Sequence, residues 1–142
     1  MCVAVRVFVA LGLSAIVAGC NQRNYTGAQR YPLSGKVTID GQPIDFGSIS
    51  FLPTEGGGER VSGGLIENGA YTVIEEQGAN AGKHRVEIRW RKMTGKKVRD
   101  PDSGEMYDQR QEGLPARYHS ASELTADVGP KQTTFDFHLK SN

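Results

Sequence analysis

Cysteine is scarce in this chain. Of 142 residues only Cys2 and Cys20 carry a thiol, both near the start, so the remainder has no disulfide framework. Charge of one sign is not in excess either. Seventeen cations against sixteen anions give a formal net charge of +1, which excludes the chain-wide basic field of a nucleic-acid binder and the acidic balance of a solvating tail. The longest charge-free apolar run, Val7 to Val17, falls short of the roughly 20 residues of a membrane-spanning helix. Helical periodicity is missing after Cys20. There is no Gly-x-Ser-x-Gly elbow and no Ser-His-Asp set, and His84, His119 and His138 have no metal-ligand spacing. Gly56-Gly57-Gly58 lacks the Lys-Ser/Thr pair and the helix that a phosphate loop requires. The chain therefore reads as a non-enzyme with no cofactor and no bound metal.

What is present begins at the N-terminus. Arg6 precedes the run Val7 to Val17, the layout of a secretory signal peptide. Its flank, Val17-Ala18-Gly19-Cys20, resembles the bacterial lipobox, an aliphatic residue and two small ones before a cysteine. That resemblance implies cleavage before Cys20, a diacylglyceryl thioether on its sulfur and acylation of its new amino group. It also implies a palmitate-type membrane anchor, since each buried methylene adds about 0.8 kcal/mol. Asn21 stands where inner-membrane retention uses Asp, so the outer membrane is favoured over the inner. Residues 1–19 are read as signal peptide and 20–32 as lipidated cysteine and polar tether. Removing Arg6 leaves sixteen cations and sixteen anions, so attachment rests on lipid and not on a basic face.

From residue 33 to 142 the pattern is that of strands. Leu33, Gly35, Val37 and Ile39 alternate with polar residues, and Asp40-Gly41 supplies a turn. Gly47, Ile49 and Phe51 alternate next, and Val61, Gly63 and Leu65 read as a third apolar edge. Asn68-Gly69 predicts a hairpin into Ala70 to Val73. Val86, Ile88 and Trp90 mark a long strand from His84 to Lys92, followed by Leu124, Ala126 and Val128 and then by Phe135, Phe137 and Leu139. Trp90 and Tyr118 read as core aromatics in preference to sugar-stacking ones. Seven short alternating strands predict an all-β fold, a single seven-stranded β-sandwich.

The order of "LSGKVTIDGQPIDFGSISFLP", "GAYTV", "GKHRVEI", "LPARYHSASELTADV" and "TTFDFHL" over residues 33 to 140 resembles the transthyretin-like, carboxypeptidase-regulatory-like domain of planctomycete lipoproteins. The resemblance implies a prealbumin-like sandwich and little about activity. The hydroxyisourate-hydrolysing branch of that superfamily carries a Tyr-Arg-Gly-Ser tail, where this chain has Leu139-Lys140-Ser141-Asn142.

One segment stands apart. Residues 83 to 99 hold eight cations and one acid. Lys83, Arg85, Glu87, Arg89 and Arg91 fall on one strand face. Asp100, Asp102, Glu105, Asp108 and Glu112 follow, without the spacing of an EF-hand calcium loop. Residues 93–113 read as a connection of unusual length, the kind that carries function or moves. Arg85, Arg89, Arg91, Asp100, Asp102 and Glu105 are the candidate ligand-binding residues, and Cys20 is the lipidation site. The sequence thus predicts a non-catalytic, lipid-anchored cell-envelope module that binds a protein or polysaccharide, with no nucleic-acid partner. The alternative is a small-ligand carrier or hydrolase using the charged loop 93–113.

Overall fold

A computed structural model describes residues 27–56 and 58–142. The signal segment, Cys20 and the first part of the tether lie outside the described residues. The described chain is all-β, with two short 3-10 turns at Glu75–Gln77 and Ala116–Tyr118. Its strands are β1 (Arg30–Tyr31), β2 (Leu33–Ile39), β3 (Gln42–Pro43), β4 (Phe46–Pro53), β5 (Ser62–Glu67), β6 (Ala70–Val73), β7 (Ala79–Asn80), β8 (Gly82–Arg99), β9 (Met106–Glu112), β10 (Thr125–Val128) and β11 (Phe137–Leu139). The main sheet has the order β10-β8-β4-β5-β6-β2-β11, with β3 on β2 and β9 on β8. Its pairs are antiparallel except β11 with β2, which is parallel. All seven expected strands are present. Strand β1 falls inside the segment read as tether and pairs with β7.

Two turns set the register. Asp40-Gly41 and Asn68-Gly69 have φ of 48° and 82°, and of 51° and 76°. Positive φ at both central residues is the requirement of a type I′ hairpin turn, which Asn or Asp followed by Gly meets at least cost. The second turn places Glu67 opposite Ala70 and Ile66 opposite Tyr71. Since side chains alternate, a fixed turn decides which face of β5 is buried. Ser62 and Ile66 point inward, and Val61 and Leu65 are exposed. The expected apolar edge of Val61, Gly63 and Leu65 is therefore the outer face, because the turn register overrides the weak pattern of a Gly-Gly strand.

The sheet bends so that both of its ends share one core, a sandwich-like arrangement. Phe51 of β4 sits at the centre, fully buried. Its ring lies 6.0 Å from that of Tyr71 and 6.2 Å from that of Phe135. The same cluster takes Val37 from β2, Ile88 from β8, Val128 from β10 and Leu139 from β11. Tyr71 Oη donates to the Phe135 carbonyl at 2.8 Å, so its polar tip is satisfied inside the core. Burial pushes the Tyr71 phenol well above its ordinary pKa, with the nearby Asp136 charge adding to the effect. Tyr118 is half-buried against the cluster, and its hydroxyl accepts the Lys140 amide at 3.0 Å. Replacing Phe51 with Ala removes the ring that joins the two ends. The expected loss is about 3–5 kcal/mol in urea unfolding, and a loss below 1 kcal/mol would contradict this view of the core.

Candidate interaction arm at the end of strand β8

Strand β8 is 18 residues long, about 60 Å when extended. Its first half lies between β10 and β4, and its second half carries β9 alone. The buried alternation His84, Val86, Ile88 ends there, and from Arg91 to Glu112 no residue is buried. The segment expected as a loop at 93–113 is instead a two-stranded hairpin arm with solvent on both faces. A strand wet on both sides has no reason to alternate apolar with polar residues, so its sequence lacks the period-two signal.

What keeps the arm ordered is its root. The Trp90 indole N–H donates to Asp45 Oδ1 at 2.6 Å. Glu112 Oε1 accepts both the Trp90 amide at 3.0 Å and the Leu114 amide at 3.1 Å. Its other oxygen faces Arg89 at 3.5 Å. Arg110 donates to the Arg91 carbonyl at 2.7 Å, lies 3.8 Å from Asp45 and stacks on Phe46 at 5.2 Å. Gly113 lies flat on the indole, where a Cβ would stand 2.6 Å from the ring. Trp90 is therefore half-buried at the edge of the core, with Lys92 5.1 Å from its centre. The indole hydrogen bond, then the Phe46 amide and the Arg110 charge, hold the Asp45 carboxyl below the usual carboxylate range.

Beyond the root the strands pair Met93 with Arg110, Lys97 with Asp108, Val98 with Tyr107 and Arg99 with Met106. Between Met93 and Lys97 the register slips, and the extra residues are on β8. Lys97 and Asp108 approach to 3.7 Å in solvent. Exposed cross-strand pairs of this kind each contribute roughly 0.2–1 kcal/mol. At the tip Asp100 Oδ1 accepts the amides of Asp102 at 2.9 Å and Ser103 at 2.8 Å. Those two bonds lower the Asp100 pKa.

The candidate residues fall at two separate places. Arg85, Arg89 and Arg91 are on the outward face of β8, in the body and at the arm's root. Arg85 pairs with Glu87 at 2.7 Å and Arg89 with Glu112, so two of the three cations are already compensated. Asp100, Asp102 and Glu105 are in the tip turn at the far end. The arm holds the two groups apart. No group of three or more His, Cys, Asp or Glu that could hold a metal occurs among the described residues. Sequence reasoning missed Asp45, Phe46 and Arg110, and named Glu112 only as part of the acidic cluster, because their roles depend on strand pairings between distant segments. Three of the large exposed apolar side chains are on the arm, Met106 at 57%, Tyr107 at 50% and Met93 at 49%. Comparison with family models, with curated proteins and with solved structures returned no match.

Trp90 is the only tryptophan, so its fluorescence reports on the root. Asp45→Ala is expected to shift the emission to the red, while Asp45→Asn, which keeps an acceptor, shifts it less. Equal spectra for all three proteins would contradict the indole bond. A carboxyl with a lowered folded pKa stabilises above its unfolded value, near 3.9, and that contribution is lost as pH falls through the folded value. Trp90 emission should therefore hold steady from pH 7 down to about 3.9 and change only below it. Replacing residues 93–110 by Asn-Gly joins Lys92 to Gln111, which face each other in the register. Because no buried side chain is removed, the body is expected to keep its stability within about 1 kcal/mol in urea unfolding.

Proposed function

We propose that this chain is a lipid-anchored, non-catalytic module of the bacterial cell envelope, a seven-stranded prealbumin-like sandwich that engages a protein or polysaccharide through the β8–β9 arm. The observation that carries the contact role is the arm itself. A hairpin with no buried residue, rooted by a tryptophan and four charged side chains, adds little to the core. It presents Met93, Met106 and Tyr107 to solvent. Methionine and tyrosine are enriched at protein contacts relative to the rest of the surface.

The envelope location rests on the Val17-Ala18-Gly19-Cys20 motif behind its apolar run. Because Arg30 is already paired in β1, nine residues, 21–29, separate the anchor from the folded body, a span of at most about 35 Å. The tether enters beside β7, next to the start of β8, so the arm projects from the other end of that strand. The arm contains no His and no Cys, so a hydrolase built on it would lack the commonest general base and the strongest nucleophile. That favours the binding reading over a hydrolase. The transthyretin-like resemblance of residues 33 to 140 agrees with the sandwich-like core.

In cells fed a radiolabelled fatty acid, the wild-type chain is expected to take up label and to fractionate with membranes. Cys20→Ser should do neither. Labelling that persists in Cys20→Ser would contradict the anchor. In-cell crosslinking of wild-type and arm-replaced chains tests the contact role. A crosslinked partner retained in full after arm replacement would contradict it.

A further inference from the structure

Strand β9 pairs with β8 and with no other strand among the described residues. Its second edge is open. Natural edge strands are blunted by proline, by charged side chains, lysine above all, by bulges or by a covering segment. The sequence of β9, Met-Tyr-Asp-Gln-Arg-Gln-Glu, has no proline and no lysine. The register slip of the arm is on β8, so β9 runs unbroken for seven residues. An edge of this kind is a template for another strand.

The charges of β9 say which strand fits. Laid antiparallel on a second β9 with Gln109 opposite Gln109, the strand sets Asp108 against Arg110 of the other copy, twice by symmetry. Tyr107 then faces Gln111, and Met106 faces Glu112. Moving the centre to Arg110 sets Arg110 against itself and Asp108 against Glu112. Moving it to Asp108 sets Asp108 against itself. The register centred on Gln111 also sets Arg110 against Glu112, but it pairs only three residues. Among the registers that pair at least five of the seven residues, only the one centred on Gln109 brings opposite charges face to face and no like charges. Like charges directly opposite destabilise a sheet, and opposite ones stabilise it.

The backbone agrees with that centre. The Gln109 carbonyl accepts Thr94 Oγ1 of β8 at 3.2 Å, so Gln109 turns its polar backbone groups inward. Asp108 and Arg110, its neighbours, turn theirs to the open edge. The charged residues would thus form the hydrogen-bonded pairs, with Gln109 on the dyad as a non-bonded pair. The four-stranded sheet that results would read Lys97, Asp108, Arg110, Met93 across one row, and Arg99, Met106, Glu112, Arg91 across the next. In both rows no two like charges are neighbours.

We infer that the open edge of β9 binds a second copy of this chain, joining two arms into a continuous four-stranded sheet with two-fold symmetry about Gln109. Such a contact is isologous, which closes at the dimer and gives no filament. The inference rests on the arm being the contact element.

The test uses the full chain in detergent, carrying either of two affinity tags, with co-purification as the readout. Wild-type chains are expected to co-purify. Asp108→Lys alone sets Lys against Arg110, and Arg110→Glu alone sets Glu against Asp108. Each is expected to lower self-association about tenfold or more, since two symmetric pairs change sign at once. Mixed together, the two variants restore opposite charges at both positions and are expected to co-purify again. Recovery in the mixture also shows that both variants are folded. As a second measurement, Gln109→Cys in a chain with Cys2→Ser and Cys20→Ser should form an intermolecular disulfide under mild oxidation. A non-bonded antiparallel pair brings the Cα atoms to about 4.5 Å, within disulfide reach. Asp102→Cys, at the tip, should crosslink far more slowly. Wild-type chains that fail to co-purify, single variants that associate like wild type, or equal crosslinking at 109 and 102 would each overturn the self-pairing. If it falls while arm replacement still abolishes a crosslink to another envelope component, the contact role of the arm stands and its occupant is a different molecule.

Discussion

The continuity of strand β8 across two environments is the constraint from which the rest follows. One strand of 18 residues begins with His84, Val86 and Ile88 in the core and ends with Arg99 in water. An isolated two-stranded hairpin is marginal in water. Here the first strand of the hairpin is already held straight by β4 and β10. Its nucleation is a consequence of folding the body, and β9 need only add to a strand that exists. The arm can therefore spend its side chains on charge and on exposed methionines.

The root is where the two environments meet, and its chemistry reflects that. Trp90 is the last residue of the buried alternation. Its ring belongs to the core margin, and its N–H needs an acceptor, which Asp45 provides. Glu112 occupies the matching position on the returning strand and closes the end of the pairing by accepting two backbone amides. Arg110 ties the two together through Asp45, Phe46 and the Arg91 carbonyl. Surface ion pairs singly contribute little. At the root they share partners with backbone hydrogen bonds and an aromatic ring, so the direction in which the arm leaves the body is set by several weak contacts acting on the same few residues.

The body was legible in the sequence wherever one face of a strand is buried and the other wet. Leu33 to Ile39 and Ala70 to Val73 show the alternation plainly, and Asp40-Gly41 and Asn68-Gly69 are turns by their chemistry. Strand β5 was placed correctly but turned to the wrong face, because Ser-Gly-Gly carries almost no hydrophobic contrast and the register comes from the turn that follows. The arm was unreadable as strand for a different reason. With both faces in water there is no alternation to detect, and a run of charges looks the same in a loop and in an exposed hairpin. Asp45 and Arg110 gave no local signal at all, since each acquires its role only once β4, β8 and β9 are aligned. Arg85, Arg89 and Arg91 were rightly placed on one face. Their spacing did not reveal that Glu87 and Glu112 stand beside two of them, nor that the acidic turn is a strand's length away.

Amide hydrogen exchange on the arm, read residue by residue by NMR in dilute solution, decides whether β8 continues past its root. A rigid hairpin continuing β8 should protect the Gln111 amide, which faces Lys92 across the pair, while the amides of Arg110 and Glu112 on the open edge exchange freely. A difference of about tenfold or more is the expected result. Exchange of all three at the rate of an unstructured peptide would mean that β8 ends at its root, and that the charged segment is the loop it resembles in sequence.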